Sequence, residues 1–265
     1  MTTESLLTID EAAGYLHVSK TSLRRWTKLG LLPCVRIGAR HERRFRSSDL
    51  ESFLRASPTS RAPFRGTPDS AASTPLAALD QAAAQSIPRH VCLHYRTTAE
   101  LWELFLPYVS RHLQREAPVL YIHRAGHRDD VIAELTALGY DAEQLVADGR
   151  VTLLEPVEAY LAGGQFAARR MIRFIESAIQ QRVGAGNREM LIAGEMSWYL
   201  SGAEGVQEMI PYEDALNALL LRYPDVTIVC QYDINRLSAE INLGAICTHT
   251  HVHMPDRFVQ GFYGR

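Results

Sequence analysis

Long apolar runs are missing from this chain of 265 residues, and nothing in it approaches the roughly 20 consecutive apolar residues of a membrane span. The opening Met1-Thr2-Thr3-Glu4-Ser5 has neither a basic nor an apolar segment, so no secretory leader is expected. Cysteine is scarce: Cys34, Cys92, Cys230 and Cys247 stand far apart with no C-x-x-C pair, which argues against a disulfide framework or a zinc knuckle. Wholesale disorder is excluded too, because hydrophobic residues make up 46% and charged residues 22%. A soluble, reduced, cytoplasmic protein is expected.

What is present is unevenly distributed. The net charge of −2 conceals a basic head: residues 1–57 balance at +4, residues 58–88 at zero and residues 89–265 at −6. A polyanion-binding surface therefore belongs at the N-terminus. Prolines at 58, 63, 68 and 75, with Phe64 as the one large apolar residue, give 57–75 the composition of a linker. A short alanine-rich helix is expected over 76–87, too short to hold a coiled-coil dimer by itself. The expected organisation is a basic domain over 1–56, a flexible linker with a short helix over 57–88, and an acidic domain over 89–265.

In the head, Thr8 and Glu11 fit a capping box that opens a first helix. His17-Val18-Ser19 then turns the chain into a second helix ending near Gly30. Leu23 and Trp26 fall on its inner face, and Thr21, Arg24, Arg25 and Lys28 on the outer one. From Pro33 to Arg46, apolar and basic residues alternate around Gly38, the pattern of a hairpin wing carrying Arg36, Arg40, Arg43 and Arg44. Ser48 and Glu51 fit a second capping box and a third helix. Residues 6–55 resemble the winged helix-turn-helix of the MerR and excisionase type. Double-stranded DNA is the expected partner, with Arg24, Arg25 and Lys28 on base edges or phosphates and the wing arginines on phosphate or minor groove.

Beyond Pro88, short apolar runs at 91–95, 119–122, 151–154, 190–193 and 226–230 alternate with helical stretches near 98–114, 129–138, 166–183 and 206–221. Apolar runs flanked by helices are strands buried on both faces, hence a mostly parallel α/β sheet. A further extended segment is expected over 246–254. No phosphate loop follows the first strand, where the chain reads His94-Tyr95-Arg96-Thr97-Thr98 without glycine or lysine. ATP hydrolysis is accordingly disfavoured, and neither an enzyme nor a cofactor is expected. The residues at the carboxyl ends of the strands, where open parallel sheets bind ligands, include His94, Tyr95, Glu195, Trp198, Tyr232 and Asp233. Singly, each has a plainer reading, with Trp198 as core and Glu195 or Asp233 as helix caps. Together with Arg96 they are expected to line a pocket for a small organic molecule.

His94-Tyr95-Arg96, Gly194-Glu195-Met196-Ser197-Trp198, Tyr212-Glu213, Cys230-Gln231-Tyr232-Asp233, His249 and Phe262-Tyr263 resemble the MEDS sensory domain over about residues 89–265. The resemblance implies a RecA/KaiC-like fold without its phosphate loop and a ligand drawn from small hydrocarbon derivatives, halogenated ones included. The tail Cys247-Thr248-His249-Thr250-His251-Val252-His253 invites a metal reading. On a straight strand His249 and His253 would stand about 13 Å apart, so all three histidines cannot share one ion; two of them with Cys247, Glu195 or His94 could, but no metal site is assigned. Cys92 and Cys230 read as inert core thiols. The function expected is a ligand-responsive transcription regulator, homodimeric on DNA. A body that binds a nucleotide, or senses metal or redox state, is the alternative.

Overall fold

The computed structural model describes residues 6–16, 20, 23–24, 27, 32–38, 42–56, 75–184, 186 and 189–260. The chain divides into two compact units, Met1–Ser70 and Ala71–Arg265. No described helix is long and apolar enough to cross a membrane.

In the smaller unit, β1 (Leu6–Thr8) leads into α1 (Ile9–Leu16) through the capping box: Thr8 Oγ1 accepts from the Glu11 N–H at 3.2 Å, and Glu11 accepts from the Thr8 N–H at 2.7 Å. Lys20, Leu23, Arg24 and Thr27 are helical, and Lys20 pairs with Asp10 of α1 at 2.7 Å. The wing is present as β2 (Val35–Ile37) and β3 (Glu42–Arg46), antiparallel around Gly38. β1 adds to the other edge of β3, a third strand that three residues of sequence do not announce. Helix α2 (Ser47–Ala56) starts before the expected cap at Ser48. Ala12, Leu23, Leu32, Phe45 and Leu50 close the core. The linker 57–74 and the turn His17-Val18-Ser19 lie outside the described residues.

The larger unit opens with α3 (Pro75–Ala84), whose Leu79 is buried against β4 (Arg89–Tyr95) and α4 (Thr98–Gln114). Arg89 donates to Leu79 O, and Arg111 of α4 pairs with Asp80. The helix expected inside the linker is thus part of this unit. Then follow β5 (Val119–Ile122), α5 (Arg128–Ala137), α6 (Ala142–Ala147), β6 (Val151–Leu154), α7 (Ala168–Gly184), β7 (Met190–Glu195), α8 (Met209–Leu220), β8 (Val226–Asp233), α9 (Ala239–Thr248), β9 (His251–Met254) and β10 (Arg257–Gln260).

The sheet has seven strands in the order β10-β9-β4-β8-β7-β5-β6, parallel except for the edge pair β9–β10. The first long strand of the body, β4, lies near the middle. Alternation along each strand deals side chains to two faces. One face, carrying Cys92, Ile192, Ile228 and Cys230, packs against α7, α8 and α9. The other, carrying Val91, Leu93, Leu191 and Val229, packs against α3, α4, α5 and α6. The expected strand over 246–254 is corrected: α9 runs through Thr248, capped by Ser238 at its start, and the strand begins only at His251.

Candidate functional site

The expected ligand pocket is divided by the pleat. His94 and Tyr232 fall on the face of α7 to α9, where Trp198 also packs, whereas Tyr95 and Glu195 fall on the opposite face. On that opposite face the Tyr95 hydroxyl donates to Glu195 Oε1 at 2.7 Å, and the Ser197 N–H donates to Glu195 Oε2 at 3.1 Å. Burial, with the carboxyl group of Glu195 beside it, pushes the Tyr95 phenol well up. Asp233 accepts from the Asn235 N–H at 3.0 Å and shapes the turn after β8. Arg96 is exposed and paired with Glu100 at 2.7 Å. The same Glu100 accepts from the Arg96 N–H at 2.8 Å, and its own N–H donates to Thr97 Oγ1. The chain's own carboxylate therefore sits at the helix start where a phosphate would otherwise bind.

On the face of α7 to α9, Trp198 is 4% exposed and fits between Tyr160 (ring centroids 4.7 Å apart) and Phe166 (4.6 Å). His94 meets the edge of the Tyr232 ring at 5.8 Å, and burial lowers its imidazole to about 4, so the ring is neutral. Two polar atoms on this face are buried without a hydrogen-bond partner among the described residues, His94 Nε2 and Trp198 Nε1. Separately, a cleft of about 220 Å³ opens near the N-terminal ends of β5 and β7, between Pro118, Thr152, Phe174 and Arg182. None of the residues expected to bind a ligand lines it.

Next to Tyr232 lies a group that sequence reasoning did not assemble. His90 (β4), Glu213 (α8), Cys230 (β8) and His249 (the C-cap of α9) are all buried, with their potential ligand atoms within 4.8 Å of one another. Burial holds both imidazoles at about 3 and raises the Glu213 carboxyl and the Cys230 thiol. The other tail histidines take no part in it: His251 stacks on Phe258, and His253 accepts or donates at Nδ1 to the Tyr108 hydroxyl, 2.9 Å away. His249, His251 and His253 are all buried.

In the smaller unit, Arg24 and Arg36 are exposed, and Arg43 and Arg44 are half-buried. Arg44 pairs with Glu42 at 2.9 Å. Arg36 and Arg43 stand directly opposite in the β2–β3 register, two like charges on one face. Thr21, Arg25, Lys28, Arg40, Phe262 and Tyr263 lie outside the described residues.

The profile of "MEDS: MEthanogen/methylotroph, DcmR Sensory domain" matches residues 89–250, and that of a helix-turn-helix domain matches residues 6–58. A curated relative, "Transcriptional repressor DcmR" of Methylorubrum extorquens, is 30% identical over 252 residues, covering 93% of this chain and 90% of that protein. Among solved structures, a KaiC-like protein from Pyrococcus horikoshii is similar with a TM-score of 0.44 and 14% identity, over 63% of this chain and 71% of that one. The phosphate-loop-free sheet and the matches at both ends agree: this chain belongs to the MEDS family and carries a helix-turn-helix domain ahead of its sensory domain.

Proposed function

We propose that this chain is a ligand-responsive transcription regulator rather than an enzyme. It binds double-stranded DNA as a homodimer through the helix-turn-helix domain and takes a small organic effector in the MEDS domain. The relative's name extends repression to this chain as part of the same proposal. On the DNA side, the reading is supported by the exposed Arg24 and by the opposed Arg36 and Arg43, whose mutual repulsion a phosphate would relieve.

The observation that carries the sensory half is the pair of unpartnered atoms, His94 Nε2 and Trp198 Nε1. A buried polar group without a partner costs about 1–3 kcal/mol, which a ligand offering an acceptor to the indole N–H would recover. Tyr160 and Phe166 supply apolar contact beside Trp198, and Tyr232 does so beside His94. The effector site is therefore reduced from seven expected residues to His94, Trp198 and Tyr232. A nucleotide reading is disfavoured, because the helix start after β4 is already capped by Thr97, with the Glu100 carboxylate accepting from the Arg96 N–H beside it.

The test uses DNA from upstream of the chain's own gene and a panel of small halogenated and oxygenated hydrocarbons. Trp198→Phe keeps a ring in place and removes only the N–H. It should shift the effective concentration of the active compound by about tenfold, the equivalent of one hydrogen bond, while leaving DNA affinity without effector unchanged. An unchanged response in both Trp198→Phe and His94→Gln would move the effector site elsewhere.

A further inference from the structure

We propose that His90, Glu213, Cys230 and His249 form a closed, four-coordinate site for one divalent transition-metal ion of the zinc type. Four of the six edges already fit, and the two from His249 Nε2 to His90 Nε2 and to Cys230 Sγ are within 4.8 Å. A tetrahedron with metal–ligand bonds of 2.0–2.3 Å has edges of about 3.3–3.8 Å. Here Glu213 Oε2 stands 3.2 Å from His90 Nε2, 3.3 Å from Cys230 Sγ and 3.4 Å from His249 Nε2, with Cys230 Sγ 3.6 Å from His90 Nε2.

The hydrogen bonds behind the four groups aim them inward. Asn217 donates to Thr248 O at 2.7 Å, which turns its Oδ1 toward His90 Nδ1 at 3.1 Å. His90 therefore carries its proton on Nδ1 and presents a bare Nε2. His249 Nδ1 lies 2.7 Å from Ala245 O, and a carbonyl only accepts, so His249 too presents a bare Nε2. That Nε2 is buried with no hydrogen-bond partner among the described residues. Tyr232 donates to Glu213 Oε1 at 2.9 Å and leaves Oε2 to the centre. Outer partners of this kind orient metal ligands.

Two bare imidazole nitrogens thus converge on one carboxyl oxygen and the Cys230 thiol, and without an ion one carboxyl proton, which burial favours, can serve only one of the two nitrogens. Without a cation such a set is poorly matched. With one, the charges close: carboxylate and thiolate contribute two negative charges, the imidazoles none, and a divalent ion brings the buried site to neutrality. All four positions come from the protein, the pattern of a structural site rather than one that activates water. The ion would clamp β4, β8, α8 and the end of α9 together, with Tyr232 linking the clamp to His94. The inference stands whether or not an effector binds beside it.

The test uses the full chain, purified without a histidine tag and stripped by a chelator. Cobalt(II) is added both to the native protein and during refolding, because a buried site loads as the chain folds. One cobalt per chain is expected, with a sulfur-to-cobalt charge-transfer band in the near ultraviolet and intense visible bands of tetrahedral geometry. Cys230→Ser should lose the charge-transfer band, and Glu213→Gln should weaken binding by at least about tenfold. Circular dichroism of each variant checks that it folds. The wild-type chain alone also decides: no charge-transfer band under either loading protocol overturns the proposal, as does a band that survives in folded Cys230→Ser.

Discussion

Replacing Arg24 with alanine should weaken binding to the native operator by about 1–3 kcal/mol, roughly 5- to 150-fold, if its guanidinium reads a base edge. Arg24 is exposed on the helix that packs Leu23 into the core of the small unit, so removing it disturbs no packing. Arg36→Ala and Arg43→Ala should behave differently. Each removes a phosphate contact, so binding to operator and to scrambled duplex should fall together and the salt dependence should flatten by about one unit apiece. Fluorescence anisotropy titrations at several salt concentrations on both duplexes separate the two patterns. If Arg24→Ala binds both duplexes like the wild type, the second helix is not the reading element.

The second large effect concerns backbone rather than charge. Gly205 sits at φ +86°, and a Cβ there would fall 2.0 Å from the carbonyl oxygen of Phe166. Phe166 cannot retreat freely, because its N–H donates to Glu204 O at 2.8 Å and its ring packs on Trp198 and Tyr212. Gly205→Ala should therefore combine left-handed strain with overpacking and destabilise the large unit by about 2–5 kcal/mol. Gly202→Ala is the control: its φ is +68°, yet nothing lies within 4 Å of the added carbon, so only the strain of about 1–2 kcal/mol is expected. Urea midpoints followed by far-ultraviolet circular dichroism compare the two. Equal midpoints would mean that the Phe166 contact does not constrain the fold.

These contrasts show where sequence reasoning succeeds. The strands of the body were legible because burial on both faces leaves uninterrupted apolar runs, and β5 and β6 fall where the pattern put them. Helix α9 was not, since Ala239–Thr248 is apolar nearly all round and its Ile246-Cys247 reads equally well as strand. Its helical end turns His249 inward and away from His251, which removes the straight-strand spacing on which the tail was judged. The pocket was misassembled for another reason: neighbours along a strand, such as His94 and Tyr95, point to opposite faces. A usable signal for the four-residue cluster did exist. Glu213 interrupts the apolar stripe Met209, Tyr212, Leu216, Leu219 and Leu220 of α8, and His90 shares a strand face with Cys92 and His94. A carboxylate and an imidazole at core positions need partners, but which partners depends on packing across four separate elements.

The strand order also bears on how the chain is made. β4 is the first strand of the large unit to emerge, yet its neighbours are β8 and β9: Arg89 pairs with Thr227, and Val91 with His251. At ribosomal rates of about 5–20 residues per second, the intervening stretch takes roughly 7–30 s to synthesise. Throughout that interval a seven-residue strand that ends up buried at every position has neither of its edges covered. Arg89, His90 and His94 place polar groups inside what would otherwise be a continuous apolar segment, the composition that keeps a nascent strand from pairing with its copies on neighbouring ribosomes.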